Sequence, residues 1–238
     1  MRSLLEQMKA LIERTYDLST GIDNIGAFVI GDEGWRALYA DADLTSVVRS
    51  GHTGTWSGAA ARLSGCAPFP AGTLVRQVGN ELRLSLYYPK ALIDHLESHH
   101  PLRCLDEANI DGFAVFVEEL DHLLHIAHRS RLGRELTLLE LEWQANLTKY
   151  LVTRHLLAKR LSPRPFNDHA EHWVCYHLFE KPGYTGDSPE VIGRYRDAVR
   201  LAVRTIRKIR TLPPAALLTE LRAFAGRSFT TKLHALAH

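Results

Sequence analysis

Long apolar runs are missing from this chain of 238 residues. No window approaches the roughly 18 consecutive apolar residues that a bilayer crossing requires, which sets membrane-spanning functions aside. Cysteine is scarce: Cys66, Cys104 and Cys175 are odd in number and far apart, excluding a disulfide scaffold or a cysteine zinc module and pointing to a reducing compartment. Charge of one sign is also lacking. With 29 Lys+Arg against 27 Asp+Glu and a formal net charge of +2, no global field attracts nucleic acid or an anionic membrane. Absent too are a Walker-type phosphate loop, a G-x-G-x-x-G after a strand, a G-x-S-x-G elbow and any internal repeat. The glycine-rich stretch Gly51 to Gly58 lacks the lysine and helix start of a phosphate loop and reads as a plain loop. Met1 to Leu18 forms an amphipathic pattern bearing Glu6, Lys9, Glu13 and Arg14 with no cleavable leader, so a cytoplasmic protein is expected.

What is present is ordinary globular composition, 45% hydrophobic and 24% charged, enough for a sizeable core. Between residues 19 and 73, short apolar runs (Ala27 to Ile30, Val47-Val48) alternate with glycines and prolines, and this region is expected to be strand and loop. Thr73 to Val78 and Glu81 to Tyr88 flank Gly79-Asn80, and Leu82, Leu84 and Leu86 alternate with Arg83 and Ser85, the signature of a β-hairpin. A short helix follows from Lys90 to about Ser98. From Asp111 the period becomes helical: Phe113, Phe116, Val117, Leu120, Leu123, Leu124 and Ala127 share one stripe. Further helices are expected over about 135–159, 167–180, 189–210 and 213–225, separated by Gly133, Ser162-Pro163-Arg164-Pro165 and Lys181 to Ser188. The expected fold class is α+β: a small antiparallel lobe within residues 1–110, with its hairpin near 73–88, followed by a mainly helical lobe over 111–238.

The chemistry concentrates in Glu118-Glu119-Leu120-Asp121-His122 and, twenty residues after His122, in Glu142 within Leu139-Glu140-Leu141-Glu142-Trp143-Gln144-Ala145-Asn146. Residues four apart share a helix face, so Glu118 and His122 can address one atom while Glu119 points to one side. Two carboxylates and one imidazole suit zinc, iron or manganese with a position left open for water. The same groups also suit a metal-free network in which Lys149 neutralises the carboxylates. A di-iron bundle needs a second Glu-x-x-His helix, and the only other copy, Glu97 to His100, abuts Pro101.

This pattern resembles the active-site helix of the gluzincin metallopeptidases, His-Glu-x-x-His followed by a glutamate ligand on the next helix. The resemblance covers roughly residues 73–160. It implies Glu118, His122 and Glu142 as ligands, Glu119 as general base, and a hairpin edge strand beside the site where an extended peptide pairs. Glu118 stands where the family carries its first histidine, and Asn146 stands where it carries an acidic residue, one turn after Glu142. A carboxylate at the first position wants a donor, which Asn146 can supply. The same region is similar to an uncharacterised bacterial family with a Glu-Glu-x-x-His helix and a Leu-Glu-Leu-Glu helix, which implies no activity.

Among other polar groups, His172 and Tyr176 are candidate oxyanion donors if their helix faces the site, and His125 and His128 are expected to cap or solvate theirs. Arg196, Arg200, Arg204 and Arg207 form one basic stripe able to hold an anion or an acidic protein partner. Without aromatic interleaving it is no platform for single-stranded nucleic acid. Two readings follow: a metal-dependent hydrolase of peptides or amides, or a non-catalytic interaction protein with a buried Glu/His/Lys network.

Overall fold

The computed structural model describes residues 2–40, 71–78, 81–161, 166–181 and 188–237. Its order is α1 (Leu4–Tyr16), a 3-10 turn (Ile25–Phe28), β1 (Val29–Ile30), α2 (Asp32–Ala40), β2 (Gly72–Val78) and β3 (Glu81–Tyr87). Then come α3 (Lys90–Ser98), α4 (Ile110–Arg131), α5 (Leu138–Leu161), α6 (Asp168–Cys175), a π-turn (Tyr176–Glu180), α7 (Pro189–Ile209), α8 (Pro214–Gly226) and α9 (Phe229–Ala237). The fold is α+β, a small sheet set against a mainly helical body.

The hairpin forms where the alternation places it, with Thr73 opposite Leu86 and Val78 opposite Glu81. The sheet is not purely antiparallel as expected, because β1 pairs with β3 in parallel, giving the order β1-β3-β2. A second departure lies in the stretch expected to be strand and loop, which contains α2. Its propensity is interrupted by Gly34, but tertiary contacts hold it: Trp35 stacks on Tyr87 at 4.3 Å, and Asp32 accepts hydrogen bonds from Tyr87 Oη and Lys90 N. The inward alternation of β3 is only half realised. Leu86 is fully buried while Leu82, near the start of β3, is exposed. The expected loop at Gly51 to Gly58, the Val47-Val48 run, Cys66, Gly79-Asn80 and the 162–165 turn lie outside the described residues.

Every member of the predicted α4 stripe, Phe113 through Ala127, is buried. Because α4 packs on β2 and β3, on α5, and on α1 and α3, its polar side chains are enclosed as well. Tyr88 illustrates the fit: its ring stacks on Phe116 at 4.8 Å and its hydroxyl donates to the Phe116 carbonyl at 2.6 Å. Gly133, at φ 60, ends α4, and Arg134 N closes back on the Arg129 carbonyl, the left-handed stop that glycine permits. Thr137 caps the next helix by accepting from Glu140 N, so α5 begins at Leu138. Trp143 locks α5 to the C-terminal helices, donating to Thr205 Oγ1 and packing edge-on against Phe224 and Phe229. Helix α9 lies beyond the last expected one. Its Lys232 is buried, which a polar sequence segment does not announce.

Candidate metal centre

Glu118 and His122 come from adjacent turns of α4 and Glu142 from the first half of α5. The contact between the two helices brings one ligand atom from each residue within 4.8 Å of the others. His122 Nε2 lies 3.8 Å from Glu142 Oε2 and 4.0 Å from Glu118 Oε1, separations that donor atoms about 2.0–2.2 Å from a shared ion also adopt. His122 is wholly buried, Glu142 nearly so, and Glu118 keeps 23% of its side chain exposed, which opens the group to solvent on one side. Among the described residues this is the one group of three or more such side chains able to hold an ion.

The electrostatics are unusual for a closed core. Both nitrogens of His122 and both carboxylate oxygens of Glu142 are buried without a hydrogen-bond partner, whereas buried polar atoms in folded proteins are overwhelmingly paired. Burial pushes His122 down to about 4, so at neutral pH it is a neutral imidazole with a lone pair to give. Burial, together with the Glu118 charge, pushes Glu142 well above the usual carboxylate range. Glu118 shows the opposite outcome. Burial opposes its ionisation, but Lys149 and His122 outweigh it and draw its pKa below the ordinary value. Lys149 Nζ donates to Glu118 Oε2 at 2.6 Å.

Glu119 is buried beside the triad and turned toward the sheet. Thr73 Oγ1, on β2, lies 2.8 Å from its carbonyl and 3.0 Å from Oε2, fixing the carboxylate against the outer strand of the described sheet. Its charge reaches both Glu142 and Tyr88. Asn146 does not supply the donor expected for Glu118. Its Nδ2 donates instead to the Glu142 carbonyl at 2.8 Å, because a side chain one turn later on the same helix finds that carbonyl first.

Other expected site residues stand apart. His172 and Tyr176 are exposed; the imidazole of that stretch which turns inward is His177, 4.0 Å from Asp111 at the start of α4. His125 and His128 neither solvate α4 nor stay on its surface. His125 is buried with Nδ1 3.2 Å from Asp121 Oδ1, and the buried His128 meets the backbone of Ser19. Arg196, Arg200, Arg204 and Arg207 are all exposed along α7 as their spacing predicts. Part of that charge is already engaged: Arg204 donates to the Leu236 carbonyl, neighbouring Lys208 to Ala235, and Arg200 faces Asp197 at 3.3 Å. Cations at the end of α9 satisfy carbonyls that have no partner within the helix, so Arg204 has a structural task there. Glu97 is exposed and His100 sits in the turn after α3, so no second Glu-x-x-His helix faces the triad.

One neighbour escaped the sequence reading. Tyr195, on α7, is close enough to Glu142, Glu118 and Glu119 for their charges to raise its pKa further after burial has done most of the work. The signal was available: Val191, Tyr195, Ala198 and Ala202 form the apolar stripe opposite the arginines, and Val191, Ala198 and Ala202 are buried. Half-buried Arg194 beside it also acts on Glu142.

Comparison with family models, with curated proteins and with solved structures finds no match to the chain. The likeness to the gluzincins therefore rests on the helix motif and on the triad.

Proposed function

We propose that the protein is a metal-dependent hydrolase of peptide or amide bonds, with Glu118, His122 and Glu142 holding one divalent zinc, iron or manganese ion. The observation that carries this reading is the convergence of three ligand-type side chains, two of them buried with their polar atoms unmatched. Charge supports it too. A dication there adds to the Lys149 ammonium in offsetting the Glu118 and Glu119 charges, and favours the ionised donor form of Glu142 against the burial that raises its pKa. Once bound, such an ion supplies Lewis-acid polarisation of a carbonyl and of water. Within the chain, the Glu119 carboxylate, steadied by Thr73, takes the proton from the attacking water and passes it to the departing amine. Neutral His122 and charged Glu118 keep their donor forms at neutral pH, and Lys149 holds Glu118 in place from the far side. The outer strand β2, carrying Thr73, offers an extended substrate a backbone to pair with.

Lys149 also favours a second reading. An ammonium 2.6 Å from Glu118 is a metal-free partner already installed, and in that case the cluster stabilises α4 against α5 while the exposed arginines of α7 meet an acidic protein. Metal analysis of protein purified without added metal, before and after reconstitution with zinc, iron(II) or manganese, separates the two. A stoichiometric ion, with chelator-sensitive peptidase activity lost in Glu119→Gln, is the expected result. Protein that stays metal-free after every reconstitution ends the hydrolase reading.

A further inference from the structure

Away from the triad, α1, α5 and α8 border a groove of about 240 Å³. Its walls are apolar, from Leu11, Leu151, Val152, Leu217 and Leu221, and Leu218 stands 41% exposed along it. Its three hydroxyls are engaged within the protein, Thr148 donating to Tyr16 at 2.9 Å and Thr15 to the Leu11 carbonyl at 2.8 Å, so the interior asks for no polar ligand atom. The basic side chains that line it have no acidic counterpart in the lining. Arg154 and His155 line the groove, Arg14 and Lys159 both act on His155, and Arg222 donates to the Arg14 carbonyl at 3.3 Å. No carboxylate is among the lining residues. Arg154 is matched by Glu171 at 3.9 Å and lies over the Phe166 ring; Arg14, next to the lining residue Thr15, Lys159, next to the lining residue Ala158, and Arg222, next to the lining residue Leu221, are exposed cations beside the groove.

We infer that this groove binds a free single-chain carboxylate amphiphile, of the medium-chain fatty acid class, with its alkyl chain between α1, α5 and α8 and its carboxylate among Arg14, Lys159 and Arg222. Size and charge together select this occupant. The volume falls below the roughly 300–1,000 Å³ of pockets that enclose drug-sized molecules, so it suits one slender chain. It is too small for the row of anchors that an amphipathic helix inserts. An apolar interior under a cationic rim repels a cationic amphiphile and gives an uncharged one no head-group contact. The site is independent of the metal reading.

Calorimetric titration with decanoate below its micelle concentration, in the presence of chelator, tests it, with decanol and decyltrimethylammonium as comparators. Saturable one-to-one binding of decanoate is expected, with about tenfold weaker binding in each of two surface variants, Leu218→Glu and the double Arg14→Gln/Lys159→Gln. Circular dichroism melting of both variants verifies that they fold. The proposal is overturned by no saturable decanoate binding, by equal binding of the uncharged or cationic chain, or by undiminished binding in the folded variants. A dimer in sedimentation that decanoate leaves intact, and that Leu218→Glu dissociates, assigns the groove to a second copy and also overturns it.

Discussion

Helices α4 and α5 bury two polar clusters, and the two are built on opposite principles. Toward one end, Glu140 is wholly buried between Lys232 Nζ at 2.8 Å and Arg129 Nη2 at 3.5 Å, and Lys232 also lies 4.5 Å over the Phe224 ring. Arg129 further donates to the carbonyls of Glu135 and Arg227. That cluster supplies its own counter-charge and fastens α9 and the loop after α8 to the body. Two residues along α5, the Glu142 carboxylate has no hydrogen-bond partner: Lys149 and Arg194 act on it without bonding to it, and the imidazole 3.8 Å away is kept neutral by burial. The difference teaches that burial alone does not distinguish a structural ion cluster from a ligand site. The distinguishing property is whether the surrounding side chains complete the charge.

The largest expected effect comes from breaking the self-compensated cluster. Lys232→Met leaves Glu140 with Arg129 as its remaining cation and should cost about 3–5 kcal/mol. Urea unfolding should show the same loss with and without chelator, and a chelator-dependent difference would mean that the two clusters are not separate.

The pH response sharpens the contrast from the other side. His122 titrates near 4 in the folded chain, well below the 6.5 of an ordinary histidine, so between those values the unfolded state binds more protons and stability falls as pH falls. In chelated protein this amounts to about 3 kcal/mol lost from pH 6.5 to 4. Glu142 acts with opposite sign: because its pKa is raised, its contribution is whole below the ordinary carboxylate range and declines as pH rises from there through the raised value. His122→Asn should flatten the acid limb of a stability-against-pH curve, and an unchanged limb would contradict the burial argument.

Glu142→Gln follows in size. In the wild type, zinc at about a hundredfold excess over its dissociation constant should add about 2.7 kcal/mol, seen as a raised melting temperature that chelator reverses. The variant should lose that increment. In chelator it should melt no lower than wild type, because an amide escapes the burial cost of a carboxylate that raises the Glu142 pKa. A variant that melts lower in chelator would return the site to the metal-free network.

The smallest effect belongs to Thr73→Val, which removes the hydroxyl beside Glu119 and should cost about 1 kcal/mol in denaturant unfolding. If Glu119 is the base, peptidase activity should fall more than zinc affinity does; equal losses would make Thr73 merely structural.

Much of this was legible along the chain. The hairpin followed from alternation and a two-residue turn signal, α4 from its stripe, and Glu118 with His122 from a four-residue spacing, all local regularities that the backbone imposes on neighbouring residues. Less legible were α2, held by Trp35 on Tyr87, and α9, held by Lys232 on Glu140, since both depend on partners distant in sequence. The same limit explains Asn146, whose amide was drawn to a carbonyl of its own helix, and Tyr195, hidden on the face of α7 opposite the arginines.

By itself, then, the sequence determined which side chains share a face: Glu118 and His122 on adjacent turns of α4, the arginines on one side of α7. Only the tertiary structure decided which carboxylates are compensated. That depends on which cations bond to them across the fold: Lys149 pairs with Glu118, Lys232 and Arg129 pair with Glu140, and Glu142 feels Lys149 and Arg194 without a hydrogen bond from either, beside a neutral imidazole. Electrostatic energy falls with distance and rises with burial, and neither quantity is a property of position along the chain.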